Sequence, residues 1–194
     1  MSTPVDPIAE FKTWLDDATR SGVAEPTAMA LATSDAEGVP NVRMVLLKQA
    51  DAAGFVFYTN LESRKAAELR ARPLASLCFY WAELKRQVRV HGRVQPVTDA
   101  EADAYFASRA RLSQIGAWAS RQSQPMAHAL ELEQACAGVM LRFGVGEVPR
   151  PPFWSGFRVV PDRIELWTER PFRRHERRLY TREGSGWQLQ RLFP

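Results

Sequence analysis

The chain has 194 residues, with 45% hydrophobic and 25% charged content. That is the make-up of a folded globular chain with a real core, and it excludes a disordered or fibrous one. A net charge of +4 and a pI of about 9.4 allow phosphate-bearing ligands without requiring them.

Other classes drop out on single features. Cys78 and Cys136 are far apart and form no disulfide framework or paired-Cys metal motif. His91, His128 and His175 lack metal-ligand spacing. The N-terminus has no basic-then-apolar leader pattern, and no apolar run approaches ~18 residues. The expected location is the cytoplasm, with no membrane partner. No nucleic-acid recognition motif accompanies the basic pI, so nucleic acid is not expected as a partner either.

Asp6-Pro7 reads as an N-cap followed by proline at the first helical position. Ile8, Phe11, Leu15 and Ala18 then share a face, predicting a helix over 7–21 that Gly22 can end. From residue 28 the period changes. Segments 28–33, 41–48, 54–59, 75–81 and 87–97 are rich in Val, Leu, Phe and Tyr and predict strands. Residues 35–38 are a turn signal. One helix interrupts the series behind Ser63. Thr98 and Glu101 have capping-box spacing and open another helix, and 126–142 predicts a third. After a Gly/Pro-rich connection over 144–152, strands return at 156–160, 163–168, 178–182 and 187–192. The expectation is one domain over 1–194: a mainly β core, a barrel, with helices packed around it.

Several clusters carry chemistry. Arg170, Arg173, Arg174, His175, Arg177 and Arg178 form a dense basic run. Alone, such a run is a solvated face; beside two further cationic sites it suggests a pocket for two anionic groups. Arg64-Lys65 is one of these sites. Cations in a first helical turn oppose the macrodipole unless an anion docks there, so this is either a phosphate site or an exposed helix start. Lys48 is the other. If strand 41–48 is regular, Arg43 and Lys48 face opposite sides; otherwise a bulge re-aims one of them. Tyr105, Arg109 and Ser113 are spaced by four and would share a face of one continuous helix, a set suited to a phosphate monoester. Residues 114–123 read as a loop of amides and hydroxyls. Of 22 arginines and 4 lysines, two lysines, Lys48 and Lys65, fall in these motifs.

Together these segments resemble the pyridoxamine 5′-phosphate oxidase family over nearly the whole chain. The resemblance is carried by Pro26-Thr-Ala-Met29, Arg43-Met-Val-Leu-Leu-Lys48, Val56-Phe-Tyr-Thr-Asn60, Ser63-Arg-Lys65, Arg86-Gln-Val88, Ser113-Gln-Ile-Gly-Ala-Trp118, Gln122-Ser123, Gly146-Glu-Val-Pro149, Phe153-Trp154 and Arg173-Arg-His-Glu-Arg177. It implies an FMN-binding split β-barrel homodimer with FMN between subunits. The activity it implies is oxidation of pyridoxamine and pyridoxine 5′-phosphates by dioxygen to pyridoxal 5′-phosphate, with release of hydrogen peroxide.

By position, the implied FMN contacts are Arg43, Met44, Val45, Leu46, Leu47, Lys48, Tyr58, Thr59, Arg64, Lys65, Gln87, Gln122, Ser123, Trp167 and Arg177. The implied substrate contacts are Lys48, Tyr105, Arg109, Ser113, Arg173 and His175, with Arg173 and His175 nearest the chemistry. The chain departs from the family pattern twice. Only five residues precede Asp6, so the family's longer N-terminal arm is expected to be missing or supplied differently. Arg174 also stands where the family has an apolar residue. The competing readings are a same-fold flavin oxidase of another aromatic metabolite, such as a phenazine precursor, and a non-catalytic flavin or pyridoxal-phosphate binder.

Overall fold

The computed structural model describes residues 6–194; the residues before Asp6, on which the expectation about the N-terminal arm falls, lie outside that range. Helix α1 (Pro7–Arg20) begins as anticipated. The Asp6 side chain accepts a hydrogen bond from the Ile8 N–H at 3.0 Å, and Pro7 occupies the first turn, where its missing N–H costs nothing. Gly22 follows the helix with φ of +75°, a conformation that favours glycine. Ile8, Phe11, Trp14 and Ala18 form the buried face.

Nine strands form one antiparallel sheet. They are β1 (Ala28–Ser34), β2 (Pro40–Leu46), β3 (Gln49–Asp51), β4 (Gly54–Asn60), β5 (Leu74–Trp81), β6 (Arg86–Pro96), β7 (Trp154–Thr168), β8 (Glu176–Glu183) and β9 (Gly186–Leu192). The spatial order is β2-β1-β5-β6-β7-β4-β3, and β8 and β9 extend from β7. The key element is β7. One edge pairs with β6 along most of its length, while the other pairs first with β4 and then with β8. The sheet therefore divides along β7, and the expected mainly β barrel is a split one.

Two expected strands, 156–160 and 163–168, are a single strand with an irregularity. The register shifts opposite His91/Gly92, where Gly92 faces Pro161. Proline has no ladder N–H, so a shift here keeps the remaining pairs intact. A Cβ on Gly92 would lie 2.0 Å from the Val160 carbonyl oxygen, so this crossing requires glycine.

Inside the sheet, α1 supplies the plug. The Phe11 ring lies 4.9 Å from both Phe55 and Phe79, and all three are fully buried with Met29, Leu31, Leu77 and Ile164. The other helices are α2 (Arg64–Ala71), α3 (Asp99–Ser108), α4 (Arg111–Ala119) and α5 (Glu131–Phe143). A smaller core of Phe106, Ile115, Val148 and Trp154 joins α3 and α4 to β7. Thr98 and Glu101 make the expected reciprocal capping box on α3. Among the described residues no helix is long and apolar enough to cross a membrane.

Local expectations changed in three places. Helix α5 starts at Glu131, because the Glu131 carboxylate accepts from the Ala127 N–H and from Arg121 and so organises a turn ahead of the helix. Residues 114–119 belong to α4 rather than to a loop. Strand β2 stops at Leu46; Leu47 N–H then donates to Thr27 and Lys48 N–H to Val56, so Lys48 sits in a link between strands.

Phe11→Ala removes the ring on which α1, β4 and β5 converge. We expect a loss of about 3–5 kcal/mol in unfolding free energy, measured as a lower urea midpoint. A loss below about 1 kcal/mol would show that α1 is not the plug of this core.

Candidate functional site

Two groups of the expected residues meet in one open cavity of about 950 Å³. Its walls carry five cations, Arg43, Lys48, Arg64, Lys65 and Arg109, and no Asp or Glu. The regular strand ends at Leu46 with no bulge, and the departure of the chain from strand geometry there is what brings Lys48 to the same cavity as Arg43.

The first group surrounds the start of α2. Ser63 does not cap this helix; its hydroxyl donates instead to the Asn60 carbonyl at 2.7 Å. The Arg64 N–H reaches the Ser123 hydroxyl at 3.4 Å. Ser123 holds φ of +73°, an unusual conformation for a non-glycine residue and one that functional sites often retain. Lys65 is 9% exposed. Its Nζ donates to Gln122 Oε1 at 2.8 Å, Thr59 Oγ1 at 3.2 Å and Ser63 Oγ at 3.3 Å, and among the described residues it pairs with no carboxylate. Burial, reinforced by the charge of Arg43, lowers its pKa from 10.5 to about 8. A buried ammonium surrounded by neutral acceptors beside an uncapped helix start is suited to a phosphate.

The second group is aromatic and cationic. Tyr58, Tyr105 and Trp154 stack, with ring centroids 4.1 Å apart for Tyr58–Tyr105 and 5.4 Å for Tyr58–Trp154. Gly156 permits this, since a Cβ there would lie 2.7 Å from the Tyr58 ring. Arg109 lies 4.8 Å over Trp154, and its Nη1 is buried without a hydrogen-bond partner. Burial lowers the Arg109 pKa. Burial also raises that of Tyr58, with Glu101 contributing. Lys48 Nζ is 5.9 Å from the Tyr105 ring centre, and Ser113 joins the wall. Tyr105, Arg109 and Ser113 thus line one cavity but not one helix. The chain breaks between α3 and α4, with Arg109 in extended backbone, and this turn aims the guanidinium inward.

Leu47 is placed differently: its side chain is in the main core, 4% exposed. A third set lies away from the cavity. Gln87, Trp167 and Arg177 occupy one row across β6, β7 and β8. The His175 ring is 4.9 Å from that of Trp167, and His175 Nδ1 accepts from the Arg170 N–H at 3.3 Å. Arg173 and Phe172 are both exposed and both left-handed, with φ of +59° and +57°. Arg174 is also exposed, so a charge there meets no apolar surroundings in this chain. Residue-by-residue reading passed over Asn60, Ser120, Trp154 and Glu68. Glu68 offered only an i,i+4 spacing from Arg64, which reads as surface charge; Ser120 lay unsingled within the stretch 114–123, and nothing local marked Asn60.

Fold and site define a class: a split β-barrel protein built to bind phosphorylated ligands. Residues 15–138 match the family described as Pyridoxamine 5′-phosphate oxidase, and residues 154–194 match the Pyridoxine 5′-phosphate oxidase C-terminal dimerisation region. A pyridoxine/pyridoxamine 5′-phosphate oxidase of Rhodospirillum rubrum is 60% identical over 97% of this chain and 96% of its own. One of Caulobacter vibrioides is 57% identical over 97% of this chain and 85% of its own. Among solved structures, PhzG from Burkholderia lata 383, in complex with tetrahydrophenazine-1-carboxylic acid, has a TM-score of 0.93 at 33% identity and covers 100% of this chain and 95% of that one. A pyridoxamine 5′-phosphate oxidase-related, FMN-binding protein of Nostoc punctiforme shares the fold, with a TM-score of 0.80 at 17% identity over 98% of both chains. The chain belongs to the pyridoxamine 5′-phosphate oxidase family.

The Lys65 environment makes stability depend on pH. The folded pKa, about 8, lies below the ordinary 10.5. Between these values the unfolded chain binds more protons, so stability rises with pH across that window. In ligand-free protein, the urea midpoint of wild type should gain on that of Lys65→Met between about pH 8 and pH 10. A gap between the two that stays constant with pH would mean that Lys65 keeps an ordinary pKa.

Proposed function

We propose that this protein uses FMN to oxidise pyridoxamine and pyridoxine 5′-phosphates to pyridoxal 5′-phosphate. Dioxygen is the acceptor and hydrogen peroxide a product; the amine also consumes water and releases ammonia. The observation that carries the reading is a pair of cations that, among the described residues, meet no carboxylate, the buried Lys65 and the half-buried Arg109 with its buried Nη1, in one cavity that no described Asp or Glu lines. Each asks for an anion, and FMN and substrate bring one phosphate each. The cavity volume also suits a cofactor-sized occupant.

In this reading Arg64, Lys65, Gln122, Ser123 and the first turn of α2 hold the FMN phosphate, with Arg43 behind them. Thr59, Tyr58 and residues 43–46 line the body of the site. Lys48, Tyr105, Arg109 and Ser113 hold the substrate phosphate, and Arg109 is pre-oriented on Trp154. Bound FMN supplies the two-electron redox chemistry. The chain's own part is to fix the substrate carbon against the cofactor, which a phosphate anchor at one end does well. Arg173 and His175 orient the pyridine substituents and bias protonation there, through a fixed planar charge and an imidazole that can donate or accept a hydrogen bond.

A homodimer completes the site. Trp154 and Trp167 stand at opposite ends of β7, a strand whose 15 residues span on the order of 50 Å along its contour. The row containing Gln87, Trp167 and Arg177 therefore reaches a cavity most readily from a second copy. Val42, Met44 and Leu46 on edge strand β2 are apolar and 69%, 64% and 38% exposed, as a strand awaiting a partner would be. The cytoplasm is part of the proposal; both cysteines are free thiols, which fits a reducing compartment. An aromatic-acid substrate is the competing reading, prompted by the PhzG likeness at 33% identity. Identities of 57–60% to phosphate oxidases favour the phosphorylated substrates.

The deciding experiment is the absorption spectrum of the purified protein and its bleaching by pyridoxamine 5′-phosphate without oxygen. A colourless protein that takes up no FMN would overturn the reading. Arg173→Ala and His175→Ala should keep flavin content and lose about 10²-fold or more in turnover. Flavin lost in step with activity would assign those residues to the cofactor instead. Replacing both Arg64 and Lys65 with Ala should weaken FMN by ~10²-fold or more, since a charge-assisted hydrogen bond contributes roughly 1.5–3 kcal/mol. Riboflavin, which lacks the phosphate, should respond little.

A further inference from the structure

We propose that Glu68 is a positioning residue of the FMN-phosphate site: it holds the guanidiniums of Arg43 and Arg64 in place from behind the cavity wall. The proposal rests on the FMN reading above.

Glu68 lies on α2, one turn beyond Arg64, and its side chain is 4% exposed. It does not line the cavity, but both arginines that it holds do. Its Oε1 accepts from Asn41 Nδ2 at 2.8 Å and from Arg64 Nε at 3.0 Å. Its Oε2 accepts from Arg43 Nη2 at 3.0 Å and from the Thr33 hydroxyl. A carboxylate offers about four acceptor sites, and all four are used. Burial disfavours its charge, but the bonds from Thr33, Arg43 and Arg64 outweigh burial and hold its pKa below the usual range.

The pattern of donors decides between a simple anchor and a positioning role. Arg64 spends only Nε on Glu68, which leaves both terminal nitrogens for the cavity. Arg43 spends Nη1 on Leu31 and Thr33 and one Nη2 hydrogen on Glu68. Each guanidinium is therefore fixed from behind with donors to spare, the arrangement that orients a ligand-binding group. A helix anchor alone would not need both of its partners on the cavity wall.

Charge gives the second half of the argument. The groups acting on Lys65 are the charges of Arg43 from β2 and Glu68 from α2, and its hydrogen-bond acceptors Thr59 from β4, Ser63 before α2 and Gln122 from the loop after α4; Lys48, Tyr58, Arg64, Tyr105 and Arg109 share the cavity. Arg43 pushes the Lys65 proton off, and Glu68 is the carboxylate that opposes it. Removing the Glu68 charge would raise the positive potential at the phosphate, which favours binding. It would also release two guanidiniums and discharge Lys65 at lower pH. The released ion pairs are short and partly buried, so their loss outweighs a potential already spread over five cations.

The test titrates ligand-free wild type, Glu68→Gln and Glu68→Asp with FMN and with riboflavin over about pH 6 to 9. We expect Glu68→Gln to bind FMN about tenfold or more weakly near neutral pH. Riboflavin affinity should be unchanged, and the alkaline loss of FMN binding should begin at lower pH than in wild type. Glu68→Asp keeps the charge and should keep the wild-type pH profile. Unchanged FMN affinity and pH profile in Glu68→Gln would overturn the proposal. Equal loss of FMN and riboflavin with a lower Tm would also overturn it, leaving Glu68 as a helix anchor. A wild type that does not prefer FMN to riboflavin would show a different failure, that of the cofactor assignment itself.

Discussion

The Lys65 side chain and the Arg109 Nη1 are withdrawn from water with no carboxylate paired to them among the described residues, and much of the site's design follows from that imbalance. The chain does not lack acids: it has 22 Asp and Glu residues, and several of them meet partly or fully buried cations directly. Arg158, 8% exposed at its side chain, is met by Asp51 and Glu101. Arg150 is met by Asp99 and Asp103, and Glu165 serves Arg89 and Arg177 together. Against that background, the all-neutral hydrogen-bond acceptors of Lys65 and the lack of a hydrogen-bond partner for Arg109 Nη1 among the described residues are selective omissions. Buried charge without a partner disfavours the folded state, so its retention points to an anion delivered from outside. The rest of the fold has to supply the rigidity that keeps such charges from relaxing into solvent.

That rigidity comes from β7 and from α1. Strand β7 joins both parts of the split sheet, and it carries Trp154 stacked on the aromatics of the cavity at one end and Trp167 beside His175 at the other. Its irregularity at Pro161, matched by Gly92 on β6, lets it change partners from β4 to β8 without leaving β6. Helix α1 then fills the interior with Phe11, so the strands bearing the site are packed from behind. Sites carried on strands packed this way hold their side chains more closely than loops do.

Much of this was legible in the chain, and the gaps have physical causes. Periodicity located α1 and most of the strands because they have one buried face, as the alternating burial of β1 and β5 shows. It missed β3, which is only three residues long, and it split β7, because Pro161-Asp162 reads locally as a break although the ladder continues past it. Spacing grouped Tyr105, Arg109 and Ser113 correctly for an incorrect reason: four-residue intervals imply one helix, but a turn at Arg109 brings them together. Glu68 was silent because a glutamate in an Arg-rich helix looks like surface charge, and only burial reveals it as a hub. The resemblance to a family named residues from two separate surfaces as one site, and periodicity alone gives no hint of that division.

The arginine-rich segment shows how differently placed like residues can be. Arg170 is tied to Glu176, Arg177 to Glu165, and Arg178 to Glu10 on α1. These three brace β8 and its approach against the rest of the molecule. Arg173 and Arg174 make no ion pair among the described residues, and Arg173 is held with Phe172 in two successive left-handed conformations. Each such residue costs on the order of 1–3 kcal/mol and persists only where its surroundings impose it. The impositions here are Pro171 before the pair and the braced strand after it. A run that reads in sequence as one basic patch is thus a strained, unpaired tip mounted on a paired base. The base spends its charges on the fold, so the tip retains a guanidinium free to meet a ligand.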